Sequence, residues 1–370
     1  MNNESPHDSQ NNLDLQPQEL AALTKFAEDN QVDANEILAQ IKNQHIRNKC
    51  LSCLSLTDLK ISNLTALQDL SELECLRIHF SEDLKELPDF SSFKAQHKLK
   101  ELTFVACPNL SDVSALSAVS NLKELSLLDC NITNLNFLIH LEALDKLNLH
   151  LSASEEKVDL APIAELKKLV SLYIFKSPDM GVVNIEQIAS LAELKQVRLS
   201  FHLLPHELKV LDGLPALEDL STGFVDEVET LRPLLQHRKL ESLHFFAYGV
   251  TSLAGIEVLA NLRSLSLFSY RISDFSPLAQ IENLRKLRIS GATQEADWQS
   301  LTKLKQIKEL EIYGCQELSD ISFLKAMPWL ESASVKFCKG VENLEVLEML
   351  EGVNVKSVGN AMGAEDSLPN

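Results

Sequence analysis

No run of apolar residues in this chain approaches the roughly 20 that crossing a bilayer requires, so a membrane-spanning protein is not expected. The N-terminus, Met1-Asn-Asn-Glu-Ser-Pro-His-Asp8, lacks the basic and apolar stretches of a secretory leader. A cytoplasmic site is expected, with signal-independent export as an effector left open. Four N-x-S/T triplets, at Asn3, Asn63, Asn109 and Asn131, carry little weight without a secretory route. Positive charge is scarce: 34 Lys and Arg against 53 Asp and Glu leave a net charge of −19 over 370 residues. Repulsion on that scale works against nucleic-acid backbones and anionic membranes as partners. Enzyme signatures are missing too. There is no G-x-x-x-x-G-K-[ST] phosphate loop, H-E-x-x-H metal pair, G-x-S-x-G elbow or G-x-G-x-x-G turn, so neither enzymatic activity nor a cofactor is expected. The seven cysteines are odd in number and mostly follow an internal repeat, which is not a disulfide framework.

What the chain does have is recurrence. The tract Leu122-Lys-Glu-Leu125-Ser-Leu127-Leu-Asp-Cys130-Asn-Ile132 returns, with drift, from about Leu51 to Leu350. Its apolar frame L-x-x-L-x-L starts at Leu51, Leu73, Leu99, Leu122, Leu144, Leu169, Leu194, Leu217, Leu240, Leu262, Leu284, Ile307 and Leu330. The starts fall roughly 22 to 26 residues apart, giving about 13 units. The first tract of each unit reads as a strand, with Leu125 and Leu127 inward and Glu124, Ser126 and Leu128 outward. A second apolar rhythm follows with a step of three: Val113, Leu116, Val119; Leu135, Leu138, Leu141; Phe275, Leu278, Ile281; Ile321, Leu324, Met327. That step suits a 3₁₀ turn or short helix burying one stripe. Strand, turn, short helix and return make one coil of a stacked array, whose surface rather than an enclosed pocket is the place of work.

On these residues the chain resembles the leucine-rich repeat proteins, in particular the short-repeat type of bacterial internalins and of the leucine-rich regulatory subunit of protein phosphatase 1. The resemblance covers about four-fifths of the chain. It implies an α/β class, right-handed leucine-rich repeat solenoid, with a parallel sheet on the concave face and short helices on the convex face. It says little about function, because the family shares a scaffold and not a chemistry. The family's ninth position is usually an inward Asn that satisfies backbone groups between coils; here Cys, Ser or an aromatic often stands there, which predicts a weaker ladder.

The expected organisation is a disordered lead (1–12), a helical N-terminal cap (13–49), the repeat domain (50–350), and a C-terminal cap with a mobile tail (351–370). In the cap, Pro17 fits the first turn of a helix carrying Leu20, Leu23 and Phe26. Asp33-Ala-Asn-Glu36 has capping-box spacing ahead of a second helix that buries Ile37, Leu38 and Ile41. Glu342, Glu345, Glu348 and Glu351 share one face, read as solvated or as a docking patch. Capped ends predict a monomer.

The outward positions three, five and seven form three columns down the sheet. The seventh holds Phe175, Phe246, Phe268 and Tyr313 among Thr57, His79, Val105, Leu128, His150, Ser200, Gly223, Ser290 and Lys336. The fifth adds Tyr173, Arg198, His244 and Arg288, and the third Lys146 and Lys286. These columns hold about as many cations as anions in a strongly acidic chain. Aromatics beside Arg are the types that dominate interface energies. The expected site for a protein partner is therefore Tyr173, Phe175, Arg198, His244, Phe246, Phe268, Lys286, Arg288 and Tyr313, with the rings as anchors and the cations meeting partner carboxylates. Outward rings that merely pack on cross-strand neighbours are the plainer alternative. Extra residues at Ser152–Val158, Ser177–Val183 and His202–His206 follow three strands and border the same region or are neutral loops.

Among the cysteines, Cys107, Cys130, Cys315 and Cys338 sit at the inward ninth position, in two stacked pairs. Cys50-Leu-Ser-Cys53 is a lone C-x-x-C, and Cys53 and Cys75 share an outward position on neighbouring strands. With His79 these three cysteines define a rival reading as a metal- or redox-responsive protein.

Overall fold

Alternation places every second residue of the L-x-L tract on one face, and parallel stacking then buries all the inward leucines against the coils above and below. The computed structural model describes residues 13–151, 157–177, 180–292, 296–350 and 353–359. The expected disordered lead, Ser152–Glu156 and the tail from Asn360 lie outside them. The chain forms two compact units, Met1–Ile188 and Ala189–Asn370.

In the first unit, helix α1 (Pro17–Asn30) buries Glu19, Ala22, Leu23, Phe26, Ala27 and Asn30. Leu20 is 44% exposed, contrary to the spacing-of-three reading. Three residues advance a helix by about 300°, so Leu20 lies roughly 120° round from Phe26. The carboxylate of Glu19, fully buried, accepts from the backbone N–H of Leu51 at 3.0 Å and of Ser71 at 3.4 Å. Asn30 accepts from the N–H groups of Ser62 and Asn63 and donates to the Asn63 carbonyl. Two polar side chains thus stitch the helix to the first coil. Helix α2 (Ala34–Gln40) begins with Asp33 accepting from Asn35 N–H, and it buries Ile37 while Leu38 stays half-buried.

Six parallel strands follow in sequence order: Cys53–Thr57, Cys75–His79, Glu101–Val105, Glu124–Cys130, Lys146–Leu151 and Ser171–Lys176. The inserted segments after the last two build a ribbon of their own, Lys157–Asp159 pairing in parallel with Gly181–Val183. In the second unit eight strands run in parallel order: Gln196–Leu203, Asp219–Phe224, Ser242–Ala247, Ser264–Phe268, Lys286–Ser290, Glu309–Tyr313, Ser332–Lys336 and Asn354–Gly359. His202 therefore belongs to a strand rather than to an inserted loop, and the final strand runs into the expected mobile tail as far as Gly359.

The step-of-three stripes are buried 3₁₀ turns such as Ser114–Ala118, Asn136–His140, Ser276–Gln280 and Ser322–Ala326. Each opens with an Asx side chain two residues earlier: Asp112, Asn134, Asp274 and Asp320 accept from the backbone N–H of Ser114, Asn136, Ser276 and Ser322. The acceptor satisfies a donor that a short helix leaves orphaned.

Position eight of the repeat divides the coils into two kinds. At Asp58, Phe80, Ala106 and Asp129, and again at Gly291, Gly314 and Phe337, the backbone turns left-handed, with φ between 52° and 71°. The turn swings position nine inward, burying Leu59, Ser81, Cys107, Cys130, Ala292, Cys315 and Cys338. Ser81 takes over the ladder role there: its hydroxyl accepts from Ile61 N–H at 2.9 Å and lies 2.9 Å from the Leu59 and Ile61 carbonyls. In the coils starting at Leu194, Leu217, Leu240 and Leu262 the chain runs on without that turn. Position eight then points inward, burying Phe201, Phe224, Ala247 and Ser269. Position nine faces outward as His202, Val225, Tyr248 and Tyr270, none of them buried. The ninth-position aromatics are thus not a weakened ladder.

Candidate interaction surface

The outward faces of the second unit's strands carry a continuous group of rings. In-register pairing sets Phe246 beside Phe268 and His244 beside Ser266. Ring centroids of Phe246 and Phe268 lie 5.6 Å apart, and His244 meets Phe246 edge-on at 5.1 Å. Tyr248 and Tyr270 extend the group from position nine: Tyr248 lies 5.6 Å from Phe268 and 5.9 Å from Tyr270, while Phe268 and Tyr270 are 5.1 Å apart. His202 closes the other side against Phe246 at 5.9 Å and Tyr248 at 4.9 Å.

His202 reaches Phe246 through a register shift between Arg198 and His202, which pairs His202, not Ser200, with Gly223. Glycines flank the group on both sides. A Cβ on Gly223 would stand 2.2 Å from His202 Cδ2, and one on Gly291 3.2 Å from Phe268 Cζ and Tyr270 Cε1. His244, Phe246, Tyr248 and Phe268 are half-buried and Tyr270 is 49% exposed, so the rings form a shelf and not a core. Burial first, then the nearby Arg288 and Arg198, holds the His244 pKa below its usual value, which favours the neutral ring. Burial, with Tyr270 and Asp226 nearby, raises that of Tyr248.

Beyond Ser290 lies a second, smaller patch. Arg288 sits 4.6 Å over the Tyr313 ring, which packs at 5.0 Å on Phe337. In the first unit, Phe175 meets His150 edge-on at 4.4 Å, and Tyr173 is half-buried on the strand position paired with Asn148. Of the nine residues singled out from sequence, His244, Phe246 and Phe268 join one cluster, Arg288 and Tyr313 a second, and Tyr173 and Phe175 lie in the other unit.

The cations are not left waiting for a partner's carboxylate. Arg198 pairs with Asp219 at 3.3 Å, Lys286 with Glu309 at 3.4 Å and Arg288 with Glu311 at 3.8 Å, each across to the next strand. Sequence reasoning missed these pairs because columns were read down the sheet one at a time, whereas Lys286–Glu309 and Arg288–Glu311 sit at one register position on adjacent strands and Arg198 reaches Asp219 diagonally, two positions back. It also missed His202, Tyr248, Tyr270 and Phe337. For the first three the signal was an aromatic at position nine in coils with no Cys or Ser there; Phe337 stands at position eight, before Cys338.

Of the rival cysteine site, Cys53 and Cys75 come together at one register position as expected, whereas Cys50 and His79 stay apart from them. Cys50 is buried near Glu19 and Glu72 rather than beside Cys53, and His79 lies four residues along the strand from Cys75, about 13 Å. Among the described residues no three His, Cys, Asp or Glu groups are placed to share a metal ion. No helix among them is long and apolar enough to cross a membrane.

Parallel strands alternating with 3₁₀ turns behind an N-terminal helix pair are the leucine-rich repeat solenoid, and this chain has that fold. Solved structures with the same architecture include a leucine-rich repeat protein of Leptospira interrogans, 20% identical, with a TM-score of 0.58 over 83% of this chain and 84% of that one. An internalin of Listeria monocytogenes, InlF, is 20% identical with a TM-score of 0.50 over 84% and 87%. PEPR1–AtPEP1 gives 16% identity and a TM-score of 0.52, over 92% of this chain and 55% of that one. No protein-family profile and no curated protein matches the sequence.

Proposed function

We propose that this protein is a non-enzymatic scaffold that binds a protein partner on the outward face of its sheet, centred on the shelf of His202, His244, Phe246, Tyr248, Phe268 and Tyr270. The observation that carries the reading is the contact of these six rings across neighbouring strands while they stay accessible. Rings ordered by one another lose little further freedom on docking, so their burial goes mainly into affinity. Leucine-rich repeat folds commonly serve as protein-binding scaffolds. Arg288 stacked on Tyr313 flanks the shelf, and Arg198 and Lys286 mark its polar rim; Tyr173 and Phe175 offer a separate contact in the first unit. The role is that of an inhibitor, adaptor or host-directed bacterial effector acting as a monomer in the cytoplasm, a reducing compartment that suits free cysteines.

The test uses a partner captured with the full chain, identified and then purified. Phe246→Ala and Phe268→Ala are each expected to weaken its binding tenfold or more, about 1.4 kcal/mol, with the melting temperature nearly unchanged. Full affinity in both variants would remove the shelf from the interface.

A further inference from the structure

Cys53 and Cys75 occupy one register position on the first two strands of the sheet, and their sulfurs lie 2.6 Å apart. That separation is inside van der Waals contact and outside the roughly 2.05 Å of a bond. Neighbouring strands are about 4.8 Å apart, within the Cα range a disulfide spans, so closure needs no strand movement. The two thiols differ in access: Cys53 is half-buried, whereas Cys75 is 8% exposed. The hydrogen bond with Cys75 first, and then the positive charge of Arg77 on the Cys75 strand, lower the Cys53 pKa and favour its thiolate.

The remaining cysteines lack this combination. Cys107, Cys130 and Cys315 are fully buried and Cys338 is 7% exposed, behind the left-handed turns that point them inward. Cys50 is 6% exposed, and burial first, then the charges of Glu19 and Glu72, raise its pKa.

We propose that Cys53 and Cys75 are an oxidisable dithiol, attacking and resolving cysteine respectively, that low-molecular-weight disulfides convert to a cross-strand disulfide. The Cys53 thiolate attacks one sulfur of the reagent, forming a mixed disulfide and expelling one thiolate. Cys75 then loses its proton and attacks the Cys53 sulfur, expelling the second. The protein gives up two electrons and two protons, and one disulfide becomes two thiols. The closed bond staples the first two coils where thiols faced outward before. This site lies in the first unit and is independent of the aromatic shelf.

The full chain is incubated with oxidised glutathione, quenched in acid, unfolded, alkylated and mapped by mass spectrometry without reduction. The expected product has lost two hydrogen atoms, carries a Cys53–Cys75 linked peptide, and is alkylated at every other cysteine. Cys50→Ser forms the same link. Cys75→Ser stops at a glutathione adduct on Cys53, and Cys53→Ser takes up no label at Cys75. Alkylation of all cysteines in the treated wild type, a link involving Cys50, or a persistent glutathione adduct at Cys53 would each overturn the proposal.

Discussion

Gly223 leaves open the space that His202 fills. A Cβ there would press on His202, which can swing away, and would stand 2.8 Å from Phe246 Cβ, which cannot. Gly223→Ala is therefore expected to lift His202 off the ring cluster and to cost about 1–3 kcal/mol in chemical denaturation. An unchanged midpoint would contradict the packing described for the shelf. His237 offers a second test at this scale. It is 6% exposed, its Nε2 has no hydrogen-bond partner among the described residues, and burial depresses its pKa. The unfolded chain takes up the proton first, so the advantage of the neutral buried ring is complete above about pH 6.5 and shrinks as pH falls through that value. The stability difference between wild type and His237→Gln is expected to narrow between about pH 7 and pH 5. A constant difference would place the ring in solvent.

At the scale of elements, docking of α1 depends on a carboxylate. Glu19→Ala leaves the N–H groups of Leu51 and Ser71 without that acceptor and is expected to destabilise by about 1–3 kcal/mol, whereas Leu20→Ala on the exposed flank changes stability by less than about 0.5 kcal/mol. Equal melting temperatures for the two variants would mean that the helix is not held this way. Strand and 3₁₀ positions were legible in the sequence, because alternation and the step of three report directly on burial. The switch at position eight was not. Phe80, Ala106 and Phe337 turn left-handed although none is a residue type that favours it, while Ser269 and Ala247 do not. Most of the left-handed turns are followed by a small or thiol side chain that fits inside the stack (Ser81, Cys107, Cys130, Ala292, Cys315 and Cys338, with Leu59 the larger exception), whereas the extended coils carry His202, Val225, Tyr248 or Tyr270 there. Asp58, Asp129, Gly291 and Gly314 are types that tolerate the turn, but at Phe80, Ala106 and Phe337 local propensity carries no trace of it, so the outward placement of Tyr248 and Tyr270 was not legible in the sequence.

Over the whole molecule the net charge of −19 contrasts with a sheet face where Lys146, Arg198, Lys286 and Arg288 are each matched by a neighbouring carboxylate. Exposed pairs of this kind contribute about 0–1 kcal/mol each and offer a partner little uncompensated charge. Binding through the rings should then depend weakly on salt, unlike capture by the acidic surface, which would fall steeply as ionic strength rises. Fold class was readable from the repeat because thirteenfold recurrence leaves few architectures. The site was only half readable, since Phe246 and Phe268 follow from alternation but the rings that join them depend on a turn not taken. Hydroxyl-radical footprinting of the protein with and without its purified partner tests the account most directly. Protection concentrated on Phe246, Tyr248, Phe268 and Tyr270 is the predicted result; unchanged oxidation of those four rings in the saturated complex would contradict it.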